Sequence, residues 1–431
     1  MTSNTTLKTK SVSRRQFLMT SAASAALVAT GNYAHAIGDD KIRVGLIGAG
    51  GRGSGAAVDV SKTPGVELVA IGDLFPDHLE SKKKGLSAEL GDKYKVKDDQ
   101  CFSGFDAYKK VLATDCNYVI LATPPGYRYI HLRAAVEAGK NVFFEKPVAV
   151  DGPGVRSVIQ SGEIAKQKGL SLVTGTQRRH QNTYRETMKR IHDGAIGDVV
   201  GGQIYWNGGG LWMFPRKSSW SDSEWQHRNW YYLTWLCGDH IVEQHVHNID
   251  VMNWVMGGPP VKAVGMGGRQ VRTDPAYGHI YDHFAIEFEY PNGVKFQSMC
   301  RHHDNTTNNV SEHIVGTKGM SDPGGWIRPY VGGERWNYNG DKPNPYEVEH
   351  ADNIAAIRAG KPLNEARQIA HSTCTAILGR ECAYTGQALT FDQVLNSKTV
   401  LMPPDVSFGV SLAVPPVAMP GKTQLEREWN A

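Results

Sequence analysis

Residues 42–47 read Ile-Arg-Val-Gly-Leu-Ile, and Gly48-Ala49-Gly50-Gly51-Arg52-Gly53 follows without a gap. A β-rich run that empties into G-x-G-x-x-G has few ways to fold. The glycines permit a tight turn, let backbone approach a pyrophosphate, and let the next helix pack closely on the strand. Ala56-Ala57-Val58 continues in helix-compatible sequence, so the N-terminal amides of that helix face the phosphates. A second apolar run, Val66 to Ile71, ends at Gly72-Asp73, with Asp73 twenty residues beyond Gly53. A carboxylate there binds the ribose 2′-hydroxyl and repels a 2′-phosphate, so the expected cofactor is NAD rather than NADP.

The alternation continues. Tyr118 to Ala122 reads as a strand ending in Thr123-Pro124-Pro125, Ile130 to Ala138 as a helix, and Asn141 to Phe144 as a strand ending in Glu145-Lys146-Pro147. Strands alternating with helices at this spacing make a doubly wound parallel sheet. Ligands bind outside the carboxyl ends of such strands. Gly48, Asp73, Thr123 and Lys146 all fall at strand ends, so one crevice collects them.

The glycine-rich turn, then Thr123-Pro124, then Glu145-Lys146-Pro147 resemble the Gfo/Idh/MocA oxidoreductases, from about residue 41 to about residue 400. The resemblance implies an α/β Rossmann domain followed by an α+β domain with a large, mostly antiparallel open sheet. It places Lys146 near the nicotinamide and the substrate hydroxyl, ahead of a cis Pro147. Gly48, Gly50, Gly51, Arg52, Gly53, Asp73, Thr123, Pro124, His131, Glu145, Lys146 and Gln177 become the expected cofactor contacts. Arg128 departs from the family pattern, standing where a histidine is expected; a cation near the cofactor and a surface arginine both remain open.

Ser171 to Thr176 reads as a further strand, and the helix Tyr184 to His192 leads into Val199 to Tyr205, which alternates like a half-buried antiparallel strand. The expected organisation is an N-terminal address over 1–36, a Rossmann domain over 41–170, a substrate and oligomerisation domain over 171–345, and C-terminal helices over 346–431 packing back on the first domain. In His240-Ile241-Val242-Glu243-Gln244-His245-Val246-His247-Asn248-Ile249-Asp250, a continuous helix puts His240, Glu243, His247 and Asp250 on one face. The family pattern of an Asp, three residues, then a His aligns with Glu243 and His247. It makes His247 the proton acceptor, with Glu243 assisting it and Lys146 holding the oxygen. A histidine suits that task because its pKa lies near working pH. Arg178, Arg179, His240 and Trp235 are the expected substrate contacts. A metal on the same face is the rival reading, but the chain has no H-E-x-x-H, and His245 and His247 point in different directions. Six tryptophans crowd into residues 206–235. A sugar platform, core packing and a subunit interface are all open for them.

The N-terminus is read as an address. Ser-Arg-Arg-Gln-Phe-Leu over 13–18, an apolar small-residue stretch and Ala34-His35-Ala36 compose a signal peptide of twin-arginine type. The 47 Lys and Arg outnumber 43 Asp and Glu only through the four basic residues of this segment. The rest is balanced, which offers no electrostatic hold on nucleic acid or an anionic membrane. Folding before export, in a reducing compartment, leaves six cysteines without a C-x-x-C as expected free thiols. The expectation is a periplasmic, NAD-dependent sugar or polyol oxidoreductase. It would be homo-oligomeric, export through the twin-arginine machinery and carry its cofactor with it. Two alternatives stand beside it: a glycoside hydrolase that oxidises, eliminates, hydrates and re-reduces with no net redox change, and a non-catalytic sugar-binding protein.

Overall fold

The computed structural model describes residues 41–428; the expected address over 1–36 lies outside them. Strands β1 (Ile42–Ile47), β2 (Val66–Asp73), β3 (Cys101–Ser103), β4 (Tyr118–Leu121), β5 (Asn141–Phe144) and β6 (Leu172–Thr174) form one six-stranded sheet in the order β3-β2-β1-β4-β5-β6. Every pair in it is parallel. Buried on both faces, these strands are almost wholly apolar, as β4 illustrates with Tyr118, Val119, Ile120 and Leu121 at 0 % exposure. The order reverses between β1 and β4, and the crevice at that reversal is where a ligand binds.

The second sheet has nine strands: β7 (Val199–Gly208), β8 (Lys262–Gly268), β9 (His283–Glu289), β10 (Lys295–His302), β11 (Asn309–Gly316), β12 (Gly319–Asp322), β13 (Trp326–Pro329), β14 (Trp336–Asn337) and β15 (Leu389–Thr390). Their order is β14-β13-β12-β11-β7-β10-β9-β8-β15. Phe284, Ile286 and Phe288 of β9 are buried while their neighbours are half exposed. That is the period-2 pattern of a sheet with one face on the core.

Three expectations need correction. The strand read within 171–176 is β6, the edge of the first sheet, so residue 170 is not a domain boundary. Its register with β5 (Val142 opposite Leu172) decides this. The strand from Val199 pairs antiparallel with β11 but parallel with β10. The helix Ala366–Thr385 does not serve the first domain alone. It packs on the helix Gly152–Lys168 and also on β8 and β9, where a Cβ on Gly379 would come within 2.9 Å of Ile241 and 3.1 Å of Phe288. All six cysteines are free and five of them buried. Among the described residues no helix is long and apolar enough to cross a membrane.

The two sheets are locked at one close contact. The helix Pro125–Glu137 of the first meets the short helix Thr234–Cys237 of the second. A Cβ on Gly126 would stand 2.1 Å from the Trp235 carbonyl oxygen, so only glycine fits. Gly126→Ala is expected to lower stability by about 1–3 kcal/mol, the usual cost of overpacking, read as a lower urea midpoint. An unchanged midpoint would mean that the two helices separate freely.

Candidate functional site

The glycine loop forms as its residue types require. Gly48 has φ +93 and its missing Cβ would lie 2.6 Å from the Thr123 amide nitrogen, while a Cβ on Gly53 would fall 1.9 Å from the Gly48 carbonyl oxygen. Gly50 and Gly51 face open space. Two glycines therefore serve packing, and two keep the mouth of the crevice clear. Asp73 ends β2 with both carboxylate oxygens engaged: Oδ2 accepts from Ala49 N at 2.8 Å and Oδ1 from Phe75 N at 2.9 Å. Each oxygen keeps a second lone-pair direction for a ribose hydroxyl.

The crevice is a cleft of about 470 Å³, within the usual range for small-molecule sites, about 300–1,000 Å³. Gly48, Gly50, Gly51, Arg52, Gly53, Asp73, Thr123, Pro124 and His131 line it, as expected. His131 is fixed by Thr123 Oγ1 at 3.0 Å, and burial, followed by Arg128, pushes its pKa down to about 3. A cleared glycine mouth, helix amides and a terminal carboxylate fit a dinucleotide.

Sequence reasoning missed the opposite wall. Trp212, Phe214, His227, Arg228 and Trp230, all from the second domain, line the same cleft. The tryptophan-rich stretch was the only signal, and the structure splits it. Trp212 and Trp230 reach the cleft, Trp206 stacks on His247, and Trp235 is core. Arg228 donates to both oxygens of Asp77 at 3.1 Å and lies 4.0 Å from the centre of the Phe75 ring. Phe408, from the C-terminal tail, stacks on Phe75 at 5.6 Å. Phe75 follows Asp73 by two residues, so this strap crosses the ribose end of the cleft.

Lys146, Glu145, Glu243 and His247 form a buried cluster adjoining the cleft at Arg52. The Lys146–Pro147 bond is cis, as the resemblance implies. Lys146 Nζ donates to the Glu243 carbonyl oxygen at 2.8 Å and to Glu243 Oε1 at 3.2 Å. Burial raises the Glu243 pKa, and Lys146 works against it. Arg52 donates to Glu145 Oε1 at 2.5 Å, to Glu349 Oε1 at 2.9 Å and to Asp59 Oδ2 at 3.2 Å. His247 stacks on Trp206 at 5.6 Å. Burial holds its pKa well below the ordinary value, and Lys146, Arg178 and Arg52 add to this. The imidazole is therefore neutral, and its surroundings lower its basicity, against the expectation of a pKa near working pH.

The continuous helix expected over 240–250 is broken. His240–Glu243 and Val246–Met256 are separate helices. Between them the His245 amide reaches back five residues to His240 O, at 3.5 Å, and the His247 amide reaches only three, to Gln244 O, at 3.4 Å. Such local re-winding often marks functional sites. It disperses the expected common face. His240 Nδ1 meets the Tyr231 hydroxyl at 2.7 Å and its ring stacks on His302 at 4.6 Å. Asp250 accepts two bonds from Arg179, at 2.7 and 3.0 Å. These residues do not converge on a metal.

The expected substrate contacts fare unevenly. Arg178 is paired with Glu312 and Arg179 with Asp250, so both arginines brace the second domain rather than await a substrate. Trp235 is 1 % exposed and donates to Gln226 at 2.8 Å, which makes it core and not a sugar platform. His240 is equally enclosed at 2 %. Gln177 opens the short 3-10 turn Gln177–His180 but does not line the cleft. Arg128 is neither surface nor cofactor contact: it is 2 % exposed and donates to the carbonyls of Leu121 and Thr123.

Residues 42–176 match the model of an oxidoreductase family with an NAD-binding Rossmann fold (GFO_IDH_MocA), and 184–321 match the GFO/IDH/MocA C-terminal domain. The chain is 25% identical over 248 residues to the 2,7-anhydro-N-acetylneuraminate hydratase of Escherichia coli, covering 54% of this chain and 59% of that one. It is 35% identical over 158 residues to inositol 2-dehydrogenase 4 of Saccharopolyspora erythraea, covering 36% and 43%. The match thus spans about half the length of these relatives. The scyllo-inositol dehydrogenase of Lactobacillus casei, solved with NAD(H) and scyllo-inositol, superposes with a TM-score of 0.61 at 19% identity, covering 82% of this chain and 99% of that one. This likeness establishes a shared fold.

Buried neutral histidines make the protein acid-sensitive. Burial is the largest cause in each: it depresses His131, His245 and His279 to about 3, His227 and His302 to about 4, and His240, His247 and His350 well below the ordinary value. As pH falls through about 6.5 the unfolded chain takes up these protons and the folded one does not, so stability drops. Asp239, pushed up to about 7 by burial, and Glu349, also raised by burial, act in the opposite sense. Asp59, Asp73, Asp151, Glu243, Glu312 and His180, also raised, act with these two, but the eight histidines all titrate near 6.5 when unfolded and decide the sign between pH 7.5 and 5.5. The urea midpoint should be clearly lower at pH 5.5 than at pH 7.5; equal midpoints would mean that these histidines are hydrated.

Proposed function

Since the chain belongs to the Gfo/Idh/MocA oxidoreductase family, both of whose domain models it matches in order, we propose that it oxidises or reduces a carbohydrate or polyol CH–OH group with tightly held NAD. The observation that carries this reading is the neutral, buried His247 beside the Lys146–Glu243 pair, adjoining a cleft that fits a dinucleotide. Gly48, Gly50, Gly51, Gly53, Asp73, Thr123 and Pro124 would hold NAD, which supplies the two-electron acceptor. Lys146 holds the substrate oxygen and stabilises its developing negative charge. Glu243 orients Lys146 through two contacts. His247, which is neutral, takes the hydroxyl proton.

A second reading has its own support. The strap from Arg228 to Asp77 and Phe408 to Phe75 favours a cofactor that stays in place. A cofactor that stays must be restored within each cycle. A hydratase among the relatives fits a route in which oxidation and re-reduction cancel, as a glycoside-cleaving enzyme of this kind would require. The proposal extends to an exported, homo-oligomeric protein. The twin-arginine signature in 1–36 would carry it to the periplasm with NAD already inside.

Turnover separates these readings. With one sugar, polyol or glycoside in several-fold molar excess over enzyme, an oxidoreductase stops after a single turnover until a carbonyl acceptor is added, whereas a redox-neutral enzyme consumes a glycoside completely. Lys146→Met and His247→Ala should each lower turnover by about two to four powers of ten while NAD remains bound in the purified protein. Near-normal turnover in either variant would overturn the assignment.

The strap has a separate readout. Arg228→Ala combined with Phe408→Ala should speed NAD release about tenfold, equivalent to ~1.4 kcal/mol, the scale of one exposed ion pair plus one cation–π contact. The measurement is loss of bound nicotinamide fluorescence after reduction and dilution into a trapping dehydrogenase. An unchanged release rate would show that the strap does not retain the cofactor.

A further inference from the structure

Asp282, His283 and His303 present three ligand atoms within 4.8 Å of one another, and nothing in the proposed chemistry uses them. They lie at one end of the second sheet, where β9 begins and β10 ends. Asp282 is fully buried. Its Oδ2 accepts three consecutive backbone amides, from Gln270, Val271 and Arg272, at 2.8, 2.7 and 2.9 Å. That locks the carboxylate and leaves Oδ1 as its working oxygen. Oδ1 is approached by His283 Nδ1 at 2.8 Å and by His303 Nε2 at 3.1 Å.

The backbone beneath the cluster is equally constrained. Asp282 N donates to Gly268 O at 2.8 Å, His302 N to Asp282 O at 3.1 Å, and His303 N to Gly208 O at 2.9 Å. The ends of β7, β8, β9 and β10 thus hold the three side chains on one rigid platform. The His303 side chain is 14% exposed and that of His283 37%, so the cluster opens to solvent on one side.

We propose that this cluster binds one divalent transition-metal ion of the zinc class. The ion would take Asp282 Oδ1, His283 Nδ1 and His303 Nε2, with water completing its shell. Each imidazole then carries its proton on the nitrogen that faces away from the ion, so no net proton is lost from a neutral ring, and the exchange involves no redox change. Imidazole and carboxylate donors suit Zn²⁺, Co²⁺ and Ni²⁺. Bonds of about 2.0–2.2 Å in tetrahedral geometry put ligand atoms roughly 3.3–3.5 Å apart. The observed 2.8 and 3.1 Å need to widen by a few tenths of an ångström, and the two ring nitrogens, now within 4.8 Å of each other, to settle at the same spacing, within the swing of two partly exposed rings. The amides on Oδ2 supply the supporting hydrogen bonds that metal-bound carboxylates usually carry.

The site also braces the wall of the cleft. Arg272, whose amide holds Asp282, pairs with Asp304 Oδ2 at 3.0 Å, and Asp304 Oδ1 accepts from Gly210 N at 2.7 Å. Gly210 begins the segment that carries Trp212 and Phe214 to the cleft.

The test is a Co²⁺ titration of the full chain, freed of any affinity tag, followed by visible absorption. The expected result is one equivalent bound, with tetrahedral d–d bands that Zn²⁺ abolishes. His303→Ala and His283→Gln should each weaken binding at least tenfold, whereas His313→Ala, on the exposed face of β11, should leave it unchanged. A higher melting temperature with one equivalent of Zn²⁺ provides a check independent of the variants, since a ligand specific for the folded state stabilises it. Absence of saturable binding in the wild-type chain overturns the proposal. So does affinity that survives both histidine variants, or that is lost in His313→Ala.

Discussion

One guanidinium ties the active half of the molecule together. Arg52 stands at the second residue of the helix that follows the glycine loop, and it reaches Glu145 beyond β5, Glu349 on a C-terminal helix and Asp59 on its own helix. Burial works against its charge, but the three carboxylates outweigh that cost and hold its pKa far above the ordinary value. Glu145 immediately precedes Lys146, so the same contact that anchors the glycine loop also sets the start of the cluster proposed as catalytic. Such a buried network stands only with every charge partnered, because an orphaned one costs several kcal/mol.

The same rule orders the second domain. Arg178 meets Glu312, Arg179 meets Asp250, and Lys146 meets Glu243. The pairings of Arg178 and Arg179 remove charges that the sequence alone offers to a substrate, whereas Glu243 holds Lys146 in place. His247 stays neutral among these cations and packs against Trp206. The surrounding field and burial lower its basicity and hold it in the neutral form. Arg128 completes the arrangement by binding two carbonyls at the end of β4, directly below the turn that carries Thr123 and Pro124.

Enclosure of the cleft comes from segments far apart in the chain. Phe75 belongs to the Rossmann sheet, Arg228 to the second domain and Phe408 to the tail, yet the three rings and planes stack at the ribose end. The wall beside it, which carries Trp212 and Phe214, is joined at Gly210 to Asp304 and Arg272 on the platform around Asp282. Both ends of the segment between β7 and the cleft are then fixed.

The sequence by itself determined the first sheet, the dinucleotide cleft and the identity of the chemical groups. These depend on short-range signals: glycines where a Cβ would collide, an acid at a strand end, apolar runs of strand length. Gly48, Gly53, Asp73, Thr123, Pro124 and His131 were legible for that reason. Tertiary structure decided the rest. Helical periodicity from His240 to Asp250 implied one shared face, but the winding changes between Glu243 and Val246, and each side chain follows its own partner: Tyr231 for His240, Lys146 for Glu243, Trp206 for His247 and Arg179 for Asp250. Trp235 and the paired arginines look like ligand contacts in sequence because burial and ion pairing are long-range facts. The membership of β6 in the first sheet, the parallel pairing of β7 with β10 and the strap over the cleft follow the same logic. Local residue type specifies which conformations and chemistries are available, and only the packing of distant segments determines which charges are neutralised and which groups are left free to react.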